Sequence, residues 1–100
     1  MRPKKTRWVR CEPGERCFRP LCKPLKKLEG VYLTLDEFEA VRLADLEELK
    51  QVDAAEMMKI SRPTFSRILS SAHSKIAEAL VFIKAIKIEG GCCKFVKRGK

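Results

Sequence analysis

The stretch Gln51–Ser70, QVDAAEMMKISRPTFSRILS, decides how this chain is read. Two short helices that cross closely need a small residue at the crossing, and Ala55 supplies it. Apolar side chains must fill the wedge between them, and Ala54, Met58, Ile60, Phe65 and Ile68 stand at spacings that do so. A turn is expected around Lys59 and Ile60. Ser61 then offers a hydroxyl to the first N–H groups of the next helix, which have no partners within it. Pro63 is tolerated in that first turn because no intrahelical hydrogen bond is lost there. This is the pattern of a helix-turn-helix. Its second helix would lie in the major groove of double-stranded DNA, with Ser61, Arg62, Pro63, Thr64, Ser66 and Arg67 as the contacts to bases and phosphates.

Beyond Ser61 the apolar residues Phe65, Ile68, Leu69, Ala72, Ile76, Ala79, Leu80 and Ile83 recur every three or four positions, predicting one long helix of about five turns. Its other face carries Arg67, Ser70, Ser71, Ser74, Lys75 and Glu78. Upstream, Thr34-Leu35-Asp36-Glu37 is a capping box, and Leu33 and Phe38 are placed as a hydrophobic staple. The helix that starts there is expected to run to about Asp45, with Phe38, Val41 and Leu46 inward. Asp36, Glu37 and Glu39 suit the positive end of its dipole and read most simply as a solvated face. A second helix is expected from about Gln51 to Met58. Downstream, Ala85-Ile86-Lys87-Ile88-Glu89 alternates like a short strand, ended by Gly90-Gly91, and Arg7–Arg10 is its expected partner.

One hundred residues bound a single domain with one small core. The net charge of +9 is unevenly spread: +8 over residues 1–27, −6 over 28–60 and +7 over 61–100. Basic ends around an acidic middle are the electrostatic footprint of a nucleic-acid binder. Pro3, Pro13, Pro20 and Pro24 exclude a long helix from the N-terminal part, which reads as a basic arm. Arg2, Lys4, Lys5 and Arg7 are candidates to follow phosphates or enter the minor groove. No apolar run is long enough to span a bilayer and no export signal follows Met1, so the expected location is the cytoplasm, with the nucleoid.

The five cysteines, Cys11, Cys17, Cys22, Cys92 and Cys93, are then expected to be reduced. Zinc or an iron–sulfur cluster is the alternative to scattered thiols, but the close Cys-x-x-Cys knuckle is absent and adjacent cysteines fit one tetrahedron poorly. No cofactor is therefore assigned. His73, the only histidine, falls mid-helix beside the apolar stripe and reads as a packing or surface residue. No nucleophile–base set, phosphate loop or carboxylate pair points to an enzyme.

Several groups of residues now carry a resemblance: Arg2-Pro3-Lys4-Lys5, Phe18-x-Pro20, Leu33-Thr34-Leu35-Asp36-Glu37-Phe38-Glu39-Ala40 and Arg42-Leu43-Ala44-Asp45. Ala54-Ala55, Met58, Ser61-Arg62, Thr64-Phe65, Arg67-Ile68-Leu69, Ala79-Leu80 and Ile88-Glu89-Gly90-Gly91 continue it. The chain resembles, over nearly its whole length, a small family of uncharacterised bacterial and archaeal proteins predicted to bind DNA. Their helix-turn-helix is similar to region four of the bacterial sigma factors. Two departures stand out: Lys59 occupies a turn position often held by glycine, and the cysteines are not part of the pattern.

The expected fold is mainly α: a three-helix helix-turn-helix domain, winged-helix-like or sigma-region-four-like, with short extended segments at both ends. Residues 1–30 form the basic Pro-rich arm, 34–84 the helical core, and 85–100 a short strand and loose basic tail. The expected function is sequence-specific binding of double-stranded DNA by a transcriptional regulator, as a homodimer. The alternatives are a module that docks on the transcription machinery through the acidic first helix, with only non-specific DNA affinity, and a metal- or redox-responsive regulator.

Overall fold

The computed structural model describes residues 17–23 and 28–88, together with the backbone of two short strands. In chain order the elements are β1 (Arg7–Val9), β2 (Cys17–Phe18), β3 (Gly30–Leu33), α1 (Leu35–Val41), a π-helical turn (Arg42–Leu46), α2 (Gln51–Met57), α3 (Arg62–Phe82), β4 (Ala85–Ile88) and β5 (Cys93–Phe95). The described part is mainly helical, with a small three-stranded sheet.

The sheet has the order β2-β4-β3. Strand β3 alternates, with Val31 and Leu33 buried and Tyr32 exposed, so one face is committed to the core. It pairs in parallel with β4, Gly30 opposite Ala85 and Leu33 opposite Ile88. Parallel neighbours need a long crossover. Here that crossover is the whole helical unit, so the sheet ties its two ends together. Strand β2 covers the other edge of β4 in antiparallel register, Cys17 opposite Lys87. Arg7–Val9 therefore does not pair with the strand at residue 85. It lies parallel to Cys93–Phe95, so the expected loose tail contains a strand and the expected arm contains two. The physical reason is that Gly30–Leu33 offers β4 a buried apolar face in register and β2 takes its other edge, so no edge of β4 is left for Arg7–Val9.

Helix α1 opens with the predicted capping box: Thr34 Oγ1 accepts from Glu37 N at 3.3 Å, and Thr34 N donates to Glu37 Oε1 at 2.9 Å. After Val41 the turns widen, and Glu47 N donates to Arg42 O. This changes the phase of the apolar row. Leu43 is driven into the core, while Leu46, expected inward, is exposed at the rim of an apolar hollow. Helices α2 and α3 close on α1 around Ala40, Leu43, Ala54, Ala55, Met58, Ile60, Phe65 and Leu69, with Ile68 packed against them. Ala54 and Ala55 are buried where the helices approach, and Phe65 fills the wedge with no surface exposed.

Among the described residues three non-glycines have left-handed backbone: Glu48, Lys59 and Ile83. Each follows a helical segment and turns the chain out of it. Lys59 thus adopts the conformation that makes glycine favourable there, at a cost of about 1 kcal/mol.

The acids of α1 are not a solvated face. Asp36, Glu37 and Glu39 are all buried. Glu39 receives two bonds from the Arg42 guanidinium, at 2.8 and 2.9 Å. Asp36 accepts from the Thr34 hydroxyl and from Glu37 N. Glu37 accepts from Ser71 Oγ at 2.6 Å and from Lys75 Nζ at 2.8 Å, while Lys75 also donates to Tyr32 O at 2.9 Å. One carboxylate thereby joins α1 to α3, and its lysine partner extends the link to β3. Burial pushes the Glu37 carboxyl up, but the bonds from Lys75, Ser71 and Thr34 and the Lys75 charge outweigh it and hold it below its ordinary value.

Candidate nucleic-acid interface

The turn between α2 and α3 is built by its backbone. Lys59 N donates to Glu56 O and Ile60 N to Ala55 O, with Met58 and Ile60 buried beneath. Ser61 is extended (φ −74°, ψ 158°) and caps α3, its Oγ accepting from Thr64 N at 3.3 Å. The Ser61 hydroxyl also donates to Thr64 Oγ1 at 2.9 Å. Ser61 and Thr64 thus spend hydroxyl bonds on each other, and Thr64 is half-buried. Pro63 sits in the first turn, as expected.

Arg62, Pro63, Ser66 and Arg67 are all exposed. Successive helical residues are about 100° apart, so burying Phe65, Leu69 and Ala72 turns Pro63, Arg67, Ser70 and Ser74 to the far side. Arg62 and Ser66 form the adjoining row. Ser70 therefore joins this surface, although the sequence pattern did not single it out as a contact. Its signal was present: it is three residues beyond Arg67 on the same face.

The charge around this face is one-sided. No acidic residue occurs from Met57 to Ala77, while Lys59, Arg62 and Arg67 are exposed. On α2, Asp53 and Glu56 are exposed and flank the turn side. The pattern suits an anionic surface approaching α3 near its N-terminus, where the helix dipole adds positive potential. His73, further along α3, is exposed and bonded to Asp45 at 2.7 Å, so it pins α3 to the π-helical segment.

Of the arm candidates, Arg7 belongs to β1, while Arg2, Lys4 and Lys5 lie outside the described residues. Cys17 and Cys22 are exposed thiols, Cys93 begins β5, and Cys11 and Cys92 lie outside the described residues. Among the described residues no three potential ligands cluster to hold a metal ion, and no helix is long and apolar enough to cross a membrane.

Comparison with known proteins gives the chain its relatives. Residues 1–96 match the model of a family described as protein of unknown function DUF134. The UPF0251 protein TTE1845 of Caldanaerobacter subterraneus subsp. tengcongensis is 59% identical over 90 residues, covering 90% of this chain and 76% of that one. A UPF0251 protein of Thermoanaerobacter pseudethanolicus is 57% identical over 90 residues, with the same coverage of 90% and 76%. One from Desulforudis audaxviator is 53% identical over 97 residues, covering 97% of this chain and 63% of its own. No solved structure matches the chain. The chain belongs to the DUF134 (UPF0251) family.

Proposed function

We propose that the protein binds double-stranded DNA sequence-specifically, with α2 and α3 acting as a helix-turn-helix, and that it serves as a transcriptional regulator. The observation that carries this reading is the exposed surface of α3's first turns, Arg62, Pro63, Ser66, Arg67 and Ser70, within an acid-free stretch of chain. In this mechanism α3 enters the major groove. Arginine there can bond guanine O6 and N7, and the serines can bond either a base edge or a phosphate. Ser61 and Thr64 shape the entry of the helix through their mutual cap. Arg2, Lys4 and Lys5 add phosphate contacts from the chain's N-terminal end.

The competing reading, docking on a protein through an acidic first helix, is less supported because Asp36, Glu37 and Glu39 point their charge inward. The test is titration of a labelled duplex with the wild type and with Arg62→Ala/Arg67→Ala at about 0.15 M salt. Each arginine bound to a base contributes about 1–3 kcal/mol, so the double variant should bind at least about tenfold more weakly. Unchanged affinity in a folded double variant refutes the assignment. Removing residues 1–5 should also flatten the salt dependence; an identical slope removes the arm from the mechanism.

A further inference from the structure

We infer that the C-terminal end of α3 is the surface on which a second copy of this chain docks. Five large apolar residues stand in the open there: Leu80 (73% exposed), Val81 (70%), Phe82 (63%), Ile83 (43%) and, from β2, Phe18 (62%). DNA phosphates cannot cover such a surface, and it lies at the opposite end of α3 from Arg62.

Three features select a second copy. The first is area. These side chains expose on the order of 500 Å², close to the apolar share of the ~800 Å² that each partner contributes to a standard interface. The second is shape. Phe18, Pro20, Leu80, Ile83 and Ile86 line a mainly apolar hollow of about 260 Å³, with Arg19 and Lys84 also on its wall. Val81 lies about 100° further around the helix from Leu80, forming a projecting edge beside the hollow, while Phe82, about 200° on, projects from the other flank, so a partner cups the helix end. A knob next to a hollow of the same chemistry is self-complementary under a two-fold axis. The third is strain. Ile83 holds left-handed backbone at φ 56°, where glycine would be free of strain. The chain bears that cost for a side chain left 43% exposed in one copy, which a partner would bury.

The interface itself does not depend on DNA binding; its consequence for DNA rests on the function proposed above. Arg67 and Val81 are fourteen residues apart on one helix. That is about 21 Å, so two α3 helices meeting at Val81, with their axes ~8–10 Å apart, hold their Arg67 positions within roughly 50 Å. The two half-sites should then lie within about one and a half duplex turns of each other, a turn being ~34–36 Å.

The experiment is the mass of the full chain in solution, without DNA, by light scattering at about 50 μM, where about 90% of the chain would be paired for a dimer of micromolar Kd. The wild type should have twice the 11.5 kDa chain mass. Val81→Glu should be a folded monomer, and Phe82→Lys should behave alike if Val81→Glu fails to fold. Val52→Glu, at an exposed position on α2, should remain dimeric. A monomeric wild type, which would leave the surface to some other partner, overturns the inference. So does a dimer that survives in the folded variants at both positions. Loss of DNA binding by a dimeric wild type would refute the function and leave the interface standing.

Discussion

Lys75→Met keeps the length of the side chain but removes the ammonium that serves Glu37 and Tyr32 O. The Glu37 carboxylate would then retain Ser71 and the Thr34 N–H, with its side chain only 9% exposed. Breaking a fully buried pair costs about 3–5 kcal/mol. The Lys75 side chain is 34% exposed, so water reaches the gap, and the expected loss at pH 7 is about 2 kcal/mol. The sign of the pH dependence follows from Glu37. In the wild type its carboxyl lies below the ordinary 4.5, so its contribution is complete above that pH and is lost as pH falls through the folded value. In the variant the ammonium is gone and burial pushes the carboxyl up. Protonating it then relieves the penalty. The stability gap between the two proteins should therefore shrink from pH 7 to pH 4. Urea unfolding at both pH values, with circular dichroism as the probe, measures it. A gap under about 0.5 kcal/mol at pH 7, or an equal gap at pH 4, refutes the account of this network.

Phe65→Ala should cost about 3–5 kcal/mol, because Phe65 has no exposed surface where α2 and α3 meet the π-helical segment; a loss under about 1 kcal/mol in chemical denaturation would contradict that packing. Lys59→Gly should leave stability unchanged or raise it by up to about 1 kcal/mol, the relief of left-handed backbone being partly offset by the flexibility of glycine when unfolded. A fall in melting temperature would contradict the turn geometry. Ser61→Ala should cost about 1 kcal/mol through loss of the α3 cap, and thermal unfolding that matches the wild type would show the cap to be idle.

The helical part of the fold was legible because its signals are local. The capping box at Thr34, the cap at Ser61 and the three-and-four spacing from Phe65 to Ala79 each depend on residues within a turn or two. The sheet was not. Gly30–Leu33 is four residues long and finds its partner at Ala85–Ile88, across the entire helical unit. Nothing local states that register, so the short run at Arg7–Arg10 reads as an equally good partner in sequence. The burial of the α1 acids is illegible for a different reason. A carboxylate in a first turn looks the same in sequence whether it faces water or a lysine, and Lys75 is thirty-eight residues away. The π-helical turn also leaves no readable mark, so Leu46 reads as inward although it is exposed. At the candidate interface, the residue types on α3 could be read from spacing. That Ser61 and Thr64 bond each other is set by side-chain rotamers that spacing does not encode.

Selection of bound duplexes from a random pool, at physiological salt with competitor DNA, tests the central claim most directly. The account predicts one enriched site built of two symmetric half-sites within about one and a half turns of each other, and no enrichment by folded Arg62→Ala/Arg67→Ala. Recovery of no motif by a folded wild-type protein would contradict it.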